Sequence, residues 1–124
     1  MAARTPSRPH AIAKSMRLRR RPEFLAVQHG GRKFHSASFV AVVLRRLASE
    51  HATPGRIGFT VTKRIGNAVT RNRIRRRARE WLRRHGWAPA GVDVVFIAKE
   101  PSAALSSAGL AGELRRLSEK IATC

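Results

Sequence analysis

The sequence predicts an α+β fold, a two-layer sandwich in which helices pack on a small central sheet. Two apolar, β-branched runs, Phe39 to Leu44 and Val92 to Ala98, have the length and composition of buried strands. Between them lie an alternating strand-like segment and a long arginine-rich helical segment, and an amphipathic helix follows the second run. The order helix, strands, helix, strand, helix is typical of an α+β domain.

The first residues lack apolar periodicity. Residues 1–15 carry two prolines and scattered basic side chains, and we interpret them as a disordered basic arm. Residues 16–124 are then a single domain, which fits the chain length of 124. Leu18 to Val27 is predicted to form a short helix with Pro22 in its first turn. The glycine pair at positions 30 and 31 ends this helix.

The strands before the arginine-rich segment have different patterns. A short strand is predicted at Lys33 to His35, and a polar loop is predicted from Leu47 to Gly55. The segment Arg56 to Thr62 alternates between two faces, as expected of a half-buried strand. The core face consists of Ile57, Phe59 and Val61. The opposite face, which is small and polar and open to a ligand, consists of Gly58, Thr60 and Thr62.

The arginine-rich segment is predicted to be a helix that begins after Asn67, a suitable N-cap, and ends near His85. Successive side chains in a helix are about 100° apart, so the faces can be assigned. The predicted core face consists of Ile74, Ala78, Trp81, Leu82 and His85. The opposite stripe consists of Asn72, Arg76, Arg79 and Arg83. The strands on either side of this helix are expected to be parallel.

The polar surface of this helix is almost entirely guanidinium, since eight arginines and one acid, Glu80, lie between Arg71 and Arg84. A guanidinium can donate hydrogen bonds to two phosphate oxygens at once or stack on a base. The free N–H groups at the start of the helix add to the attraction for anions. A basic helix face is often only a solvated surface, but solubility does not require so few carboxylates. The segment therefore favours binding of a phosphate-bearing ligand.

The last helix is predicted to be capped by Ser106 or Ser107. Its apolar stripe consists of Leu110, Leu114, Leu117 and Ile121.

The formal net charge of +19 indicates a polyanionic partner, because self-repulsion on this scale is tolerated when a polyanion neutralises it. Nucleic acid is favoured over a membrane surface, and we expect no membrane partner. Cys124 is the one cysteine, so the chain cannot form an internal disulfide or a thiolate zinc site, and a cytoplasmic location is expected.

Catalytic chemistry is not expected of the polypeptide. The acids and the five histidines have no spacing typical of a paired-carboxylate or metal site, so we predict no catalytic and no metal-binding residues. A DNA-binding reading lacks a helix-turn-helix, zipper or zinc module. A protein-only nuclease lacks the carboxylates. A structural RNA-binding protein of ribosomal type remains the alternative.

The segment Arg56 to Glu80 closely resembles the signature of the bacterial ribonuclease P protein component. Its core is Gly66-Asn67-Ala68-Val69 followed by Arg71-Asn72-Arg73-Ile74 and further basic residues. The order of the other elements is also similar: Leu18 to Phe24 resembles the family's first helix. The resemblance covers roughly residues 17 to 121.

The resemblance implies a fold like the second domain of ribosomal protein S5, with a left-handed crossover around the arginine-rich helix. It implies two partners, the catalytic ribonuclease P RNA and precursor tRNA, and no required protein partner. The RNA removes the 5′ leader of the precursor by hydrolysis and holds the Mg²⁺ ions. The helix would meet the catalytic RNA, and a cleft between the sheet and the first helix would hold the leader.

The resemblance also carries over the site residues. The matching positions in the helix region are Lys63, Arg64, Asn67, Arg71, Asn72, Arg73, Arg75, Arg76 and Arg79, and those in the cleft include Phe24, Lys33 and Phe34. Beside these, we predict RNA contacts for Arg83 of the polar stripe and for the basic residues Arg17, Arg19 and Arg20 near the first helix. Gln28 and Val42 replace the aromatic residues that the family often has in this cleft. Phe24 and Phe34 have two readings, as leader contacts or as ordinary core residues.

Overall fold

The computed structural model describes residues 12–46 and 53–123. The α-helices are α1 (Arg21–Gly30), α2 (Ala68–His85) and α3 (Ser107–Ala122). The strands are β1 (Arg32–His35), β2 (Phe39–Arg45), β3 (Arg56–Thr60) and β4 (Val92–Ala98). Short 3-10 helices lie at Lys14–Met16, Lys63–Ile65 and Glu100–Ala104. The predicted α+β class is therefore confirmed.

The four strands form one sheet in the order β1-β2-β4-β3. β2 pairs with β1 and β4 in antiparallel orientation, and β3 pairs with β4 in parallel orientation. A parallel pair needs a crossover connection, and the arginine-rich helix α2 supplies it. The predicted parallel arrangement of these strands is confirmed, and the left-handed sense of the crossover stays a prediction.

Each face of the sheet is covered by different helices. On one face, Phe39, Ala41, Val94 and Phe96 pack with apolar residues of α2 and α3 to form the main core. On the other face, Val42 and Val95 pack against α1 in a smaller cluster. Strand alternation explains the division, because neighbouring residues of a strand point to opposite faces.

The first helix begins three residues later than predicted. Leu18 is extended, its N–H donates to the carbonyl of Ile57 at 3.1 Å, and its side chain is buried. The Glu23 carboxylate accepts hydrogen bonds from the N–H groups of Arg19 and Arg20 at 2.8 and 2.9 Å, which fixes the helix start. These bonds lower the pKa of Glu23 below its ordinary value, that from Arg20 most. Leu18 thus belongs to the edge of the sheet.

The predicted polar face of β3 is not open along its whole length. Phe24 and Leu18 cover Gly58 so closely that a Cβ at that position would lie 2.6 Å from the Phe24 ring. The strand also ends at Thr60 instead of Thr62, because the Thr62 carbonyl accepts the Ile65 N–H and starts a 3-10 turn. The prediction of a face open at Gly58 and of a strand reaching Thr62 is therefore wrong.

The described residues begin inside the predicted N-terminal arm. Ile12 and Met16 pack against the main core, and the indole N–H of Trp87 donates to the Met16 carbonyl at 3.2 Å. The last residues of the predicted arm therefore belong to the domain. Residues 1–11 of the arm, residues 47–52 of the predicted loop, and Cys124 lie outside the described residues.

A buried carboxylate that the sequence did not single out joins α3 to the sheet. Glu113 is 6% exposed and accepts hydrogen bonds from the Ser36 and Ser38 hydroxyls and from the Ser38 N–H, at 2.5 to 2.8 Å. Burial by itself would raise the pKa of Glu113, but these bonds outweigh it and lower that pKa. Glu113 thus fixes the turn between β1 and β2 against α3.

No helix in residues 12–46 and 53–123 is both long and apolar enough to span a bilayer.

Candidate nucleic-acid interface

The start of α2 is built as predicted. The Asn67 side chain accepts a hydrogen bond from the Thr70 N–H at 2.9 Å, which confirms it as the N-cap. Arg71 donates through Nε to the Gly66 carbonyl at 3.1 Å, and Lys63 and Arg64 are exposed in the preceding 3-10 turn. Free backbone N–H groups and exposed cations thus lie together at this end of the helix, an arrangement that attracts phosphate.

The predicted core face of α2 is partly correct. Ile74, Ala78 and Leu82 are buried, whereas Trp81 is half-buried and His85 is exposed. Placing His85 in the core was therefore wrong. The helix ends there, and the Trp87 side chain fills the adjoining part of the core at 5% exposure.

The four residues of the predicted polar stripe have different surroundings. Asn72 and Arg76 are exposed, as expected. Arg79 instead turns towards β3, where its guanidinium lies 5.7 Å from the centre of the Phe59 ring. Arg83 forms an ion pair with Glu80, which raises the pKa of Arg83 and lowers that of Glu80. The stripe is therefore not a uniform surface, because side chains this long reach neighbouring groups on either flank of the helix.

A pocket of about 270 Å³ opens where the segment before α1, the strand β3 and the helix α2 meet. Its lining includes the arginines Arg17, Arg19, Arg75 and Arg79, and Gly58 and Phe59 form part of its wall. We call it the arginine pocket. Arg17 is placed there because its backbone bridges to Ile57 at the edge of the sheet. No carboxylate lines the pocket.

Positive charge is concentrated in the arginine pocket. The Nε of Arg17 is buried and has no hydrogen-bond partner in the described part of the chain. Burial, followed by repulsion from Arg17 and Arg75, lowers the pKa of Arg79. Arginine stays charged in spite of such a shift, so the positive charges remain close together without a counterion. A phosphate group would supply acceptors to several of these guanidiniums at once.

The α1 side of the sheet, where the leader cleft was predicted, has a row of half-buried residues next to the fully covered ones. Val40, Ile97 and Thr60 are register partners on neighbouring strands, so they form one row across the sheet. All three are half-buried, whereas the next row, which contains Val42 and Val95, is fully covered. The exposed residue His35 extends the row onto β1. Sequence reasoning did not select this row, although Val40 and Ile97 each lie two positions from a buried valine of the same face.

The predicted cleft residues do not all lie on this side of the sheet. Phe24 lies on α1 over Gly58, and Lys33 pairs with Val42 and is exposed on the α1 side. Phe34 pairs with Ala41 and packs on the main core, on the opposite face. Its grouping with Phe24 and Lys33 was therefore wrong, because successive residues of β1 point to opposite faces. Val42 is fully buried, so it offers no surface to a ligand.

The other predicted contacts lie around the pocket and on the outer surface. Arg19 lines the arginine pocket, and Arg20 and Arg73 are exposed. Arg75 is half-buried and donates to the Asn72 side chain at 2.8 Å. The structure therefore brings Arg17, Arg75 and Arg79 together and leaves Arg20 and Arg73 spread along the surface.

Elsewhere, arginines are neutralised by acids. Asp93 is 3% exposed and pairs with Arg46 and Arg56, and Arg56 also contacts Glu23 at 3.3 Å. The Arg56–Asp93 ion pair is bidentate: the Nε and a terminal nitrogen of Arg56 donate to the two Asp93 carboxylate oxygens at 2.9 and 2.7 Å. We call this group the Asp93 cluster. Within residues 12–46 and 53–123, no three His, Cys, Asp or Glu side chains are grouped as metal ligands would be.

The chain matches a family and curated relatives over most of its length. The family model for ribonuclease P matches residues 12–122. The ribonuclease P protein component of Gluconacetobacter diazotrophicus is 44% identical over 109 residues, which cover 86% of this chain and 91% of the relative. That of Desulfatibacillum aliphaticivorans is 40% identical over 112 residues, covering 90% and 92% of the two chains.

Solved structures are similar in fold. The ribonuclease P protein of Staphylococcus aureus aligns with a TM-score of 0.75 at 25% identity, over 86% of this chain and 94% of its own. That of Thermotoga maritima aligns with a TM-score of 0.70 at 27% identity, over 82% and 93%. Signature, fold and relatives agree, and the chain therefore belongs to the bacterial ribonuclease P protein family, the protein subunits of an RNA-based endoribonuclease.

Proposed function

We propose that this protein binds the catalytic RNA of ribonuclease P and the single-stranded 5′ leader of precursor tRNA, and so assists RNA-catalysed removal of the leader. The arginine pocket carries the proposal. Four arginines line it without a carboxylate, and burial and repulsion from Arg17 and Arg75 lower the pKa of Arg79. A phosphodiester backbone supplies the missing charge and acceptors, and releases counterions as it binds.

The two RNA partners are assigned to different surfaces. The exposed cations Lys63, Arg64, Arg73 and Arg76, around the start of α2 and along it, are assigned to the catalytic RNA. The cleft whose floor contains Val40, Ile97 and Thr60 is assigned to the leader, with the arginine pocket at one end for a phosphate. A single strand can lay its unstacked bases on the apolar floor, whereas a double helix keeps its bases stacked inside.

The polypeptide is proposed to leave the bond-breaking step to the RNA. The most buried acids in the described chain are already engaged: Asp93 by two arginines and Glu113 by two serines. These residues do not form a Mg²⁺ site, for which carboxylates must converge with water on one ion. Mg²⁺ is therefore assigned to RNA phosphates, and the protein acts by binding and orienting RNA. The cytoplasm, where precursor tRNA is made, is the proposed location, and no second protein is required.

A cleavage assay tests the proposal. Precursor tRNA is incubated at low Mg²⁺ with a bacterial ribonuclease P RNA, with this protein, or with both. We expect leader removal to be faster with both than with RNA alone, and no cleavage with protein alone. RNA binding without any stimulation would instead favour a structural RNA-binding role of ribosomal type. Cleavage by the protein alone would overturn the assignment of catalysis to the RNA.

The leader assignment has a separate test. Lys33→Ala removes an exposed cation from the cleft side of β1, and Lys120→Ala removes one from the distant end of α3 as a matched control. With the assembled holoenzyme, Lys33→Ala is expected to weaken binding of leader-bearing precursor and to leave binding of mature tRNA unchanged. Equal effects on the two RNAs would contradict the placement of the leader in this cleft.

A further inference from the structure

A second concave surface lies on the other flank of α2, between this helix and α3. It encloses about 400 Å³, which is within the range of ligand pockets, roughly 300–1,000 Å³. Its wall includes Arg76, Arg77 and Arg84 of α2 and Ser107 of α3, and its aromatic surface is Trp81 with His85. We call it the α2–α3 groove. It shares no residue with the arginine pocket.

The aromatic pair in this groove is ordered without being buried. The rings of Trp81 and His85 are stacked, with centroids 4.4 Å apart and planes 15° from parallel. The Nδ1 of His85 lies 2.9 Å from the Trp81 carbonyl oxygen, which fixes the imidazole against the helix. Trp81 is half-buried and His85 is exposed. The pair therefore presents a flat, pre-ordered aromatic surface at the rim of the domain.

The charges around the pair favour a phosphate-bearing ligand. Arg77 is positioned by the Ser107 hydroxyl at 2.8 Å, and Arg76 has no hydrogen bond or ion pair with any described residue. The acid of the groove, Glu80, already accepts hydrogen bonds from Arg83 and Arg84. Cations thus remain available beside a flat aromatic surface, the combination with which proteins hold an unpaired nucleotide.

We propose that the α2–α3 groove binds an unpaired nucleotide of the catalytic RNA, with its base against the Trp81–His85 pair and its phosphates near Arg76 and Arg77. The inference rests on the proposed function and extends it. The source is the RNA subunit because the leader is assigned to the cleft on the other side of α2. A protein partner would need an acidic surface to match these arginines, whereas any RNA strand brings that charge along its whole length.

Two substitutions at one position separate stacking from charge. Trp81→Leu keeps an apolar side chain and removes the ring on which the His85 imidazole is stacked, whereas Trp81→Phe keeps a ring. We expect Trp81→Leu to weaken binding to the ribonuclease P RNA at least about five-fold, and Trp81→Phe to restore most of the affinity. The dependence of log affinity on log salt concentration should not change in either variant, because no charge is removed. If Trp81 had only a structural role, its replacement would lower stability without producing this pattern of affinities.

Fluorescence and a second variant complete the test. Trp87 is 5% exposed, so quenching of tryptophan emission on RNA binding should be lost in Trp81→Phe. If Trp81→Leu does not fold cooperatively, His85→Ala tests the inference instead, because this exposed side chain can be removed without changing the core. His85→Ala is expected to weaken RNA binding, and an unchanged affinity would overturn the inference.

The controls distinguish the two proposals. Precursor tRNA binding by the holoenzyme, at protein concentrations that saturate the RNA, should be the same for wild type and Trp81→Leu. A loss confined to precursor binding would overturn the assignment to the catalytic RNA. If the wild type binds the RNA tightly and Trp81→Leu binds it equally well, the stacking inference is overturned but the proposed function is not. If the wild type does not bind the RNA, the proposed function itself is contradicted.

Discussion

The Asp93 cluster and the arginine pocket both hold partly buried guanidiniums, but only one of them contains acids. In the Asp93 cluster, the 3% exposed Asp93 carboxylate pairs with Arg46 and Arg56, and Glu23 supplies a second acid to Arg56. In the arginine pocket, Arg17, Arg75 and Arg79 meet without an acid, and repulsion lowers the pKa of Arg79. The difference teaches that buried arginines in this chain have two kinds of surroundings. Those of the Asp93 cluster are paired with carboxylates, whereas those of the arginine pocket have no acid beside them, and we propose that the latter bind phosphate.

The largest expected effect comes from breaking the paired cluster. Asp93→Ala leaves Arg46 and Arg56 partly buried without their carboxylate, and removal of one partner of a buried pair costs about 3–5 kcal/mol. We expect the free energy of unfolding to fall by this amount, as measured by urea denaturation. Glu119→Ala, which removes an exposed acid of α3, is the matched control. A loss no larger than that of the control would mean that the cluster does not stabilise the fold.

Removing a charge from the arginine pocket should weaken RNA binding without lowering the stability of the fold. Arg79→Met keeps a flexible stem against Phe59 and removes a charge that is repelled by its neighbours. We expect unchanged or higher stability, together with a loss of about 1.5–3 kcal/mol in the binding free energy of the holoenzyme for leader-bearing precursor tRNA. Thermal unfolding and filter binding measure the two quantities, with Lys120→Met as control. Lower stability with normal RNA affinity would mean that Arg79 stabilises the fold, as the arginines of the Asp93 cluster do, and does not bind RNA.

Glu113 extends the comparison to a carboxylate that is paired with hydroxyls instead of arginines. Its pKa is lowered from an ordinary value of 4.5, so it stabilises the fold above that pH, and the stabilisation is lost as pH falls through the lowered value. Glu113→Ala leaves the Ser38 N–H without its acceptor and should cost about 1–3 kcal/mol at neutral pH. The variant should also lose less stability than wild type on acidification. Parallel pH profiles would contradict the assignment of this role to Glu113.

The smallest effect is expected at Glu80, an exposed acid on the basic helix. Glu80→Gln removes the carboxylate that contacts Arg83 and Arg84 and makes this face more positive. Exposed ion pairs contribute little to stability, so the melting temperature should not change. The affinity for RNA should rise slightly at low salt and depend more steeply on salt concentration. A lower melting temperature would mean that the ion pairs of Glu80, like those of Asp93, stabilise the fold.

Local patterns in the sequence were sufficient to predict most of the fold. Apolar runs predicted β2 and β4. Asn67 was recognised as a cap, and the last cap was narrowed to Ser106 or Ser107, of which the structure has Ser106, because a side-chain oxygen precedes each helix. The parallel pair around α2 followed from the element order. Such features depend on neighbouring residues, which a single sequence displays directly.

Tertiary contacts were less accessible. Leu18 was predicted to be helical because nothing nearby shows that it pairs with Ile57. Phe34 was grouped with Phe24 because the sheet register was unknown. The meeting of Arg17 with Arg79, and the burial of Asp93, depend on residues far apart in the chain. The candidate site was therefore predicted as a set of basic residues, whereas its division into paired and unpaired arginines required the structure.

A salt titration of RNA affinity tests the central claim most directly. Affinity of the holoenzyme for leader-bearing precursor is measured from low to high salt for wild type, Arg17→Met, Arg79→Met and the control Lys120→Met. If the pocket holds phosphate, the log–log slope falls by roughly 0.7–0.9 for each lost phosphate contact in the two pocket variants and stays at the wild-type value in the control. Slopes that are equal in all four proteins would contradict the account.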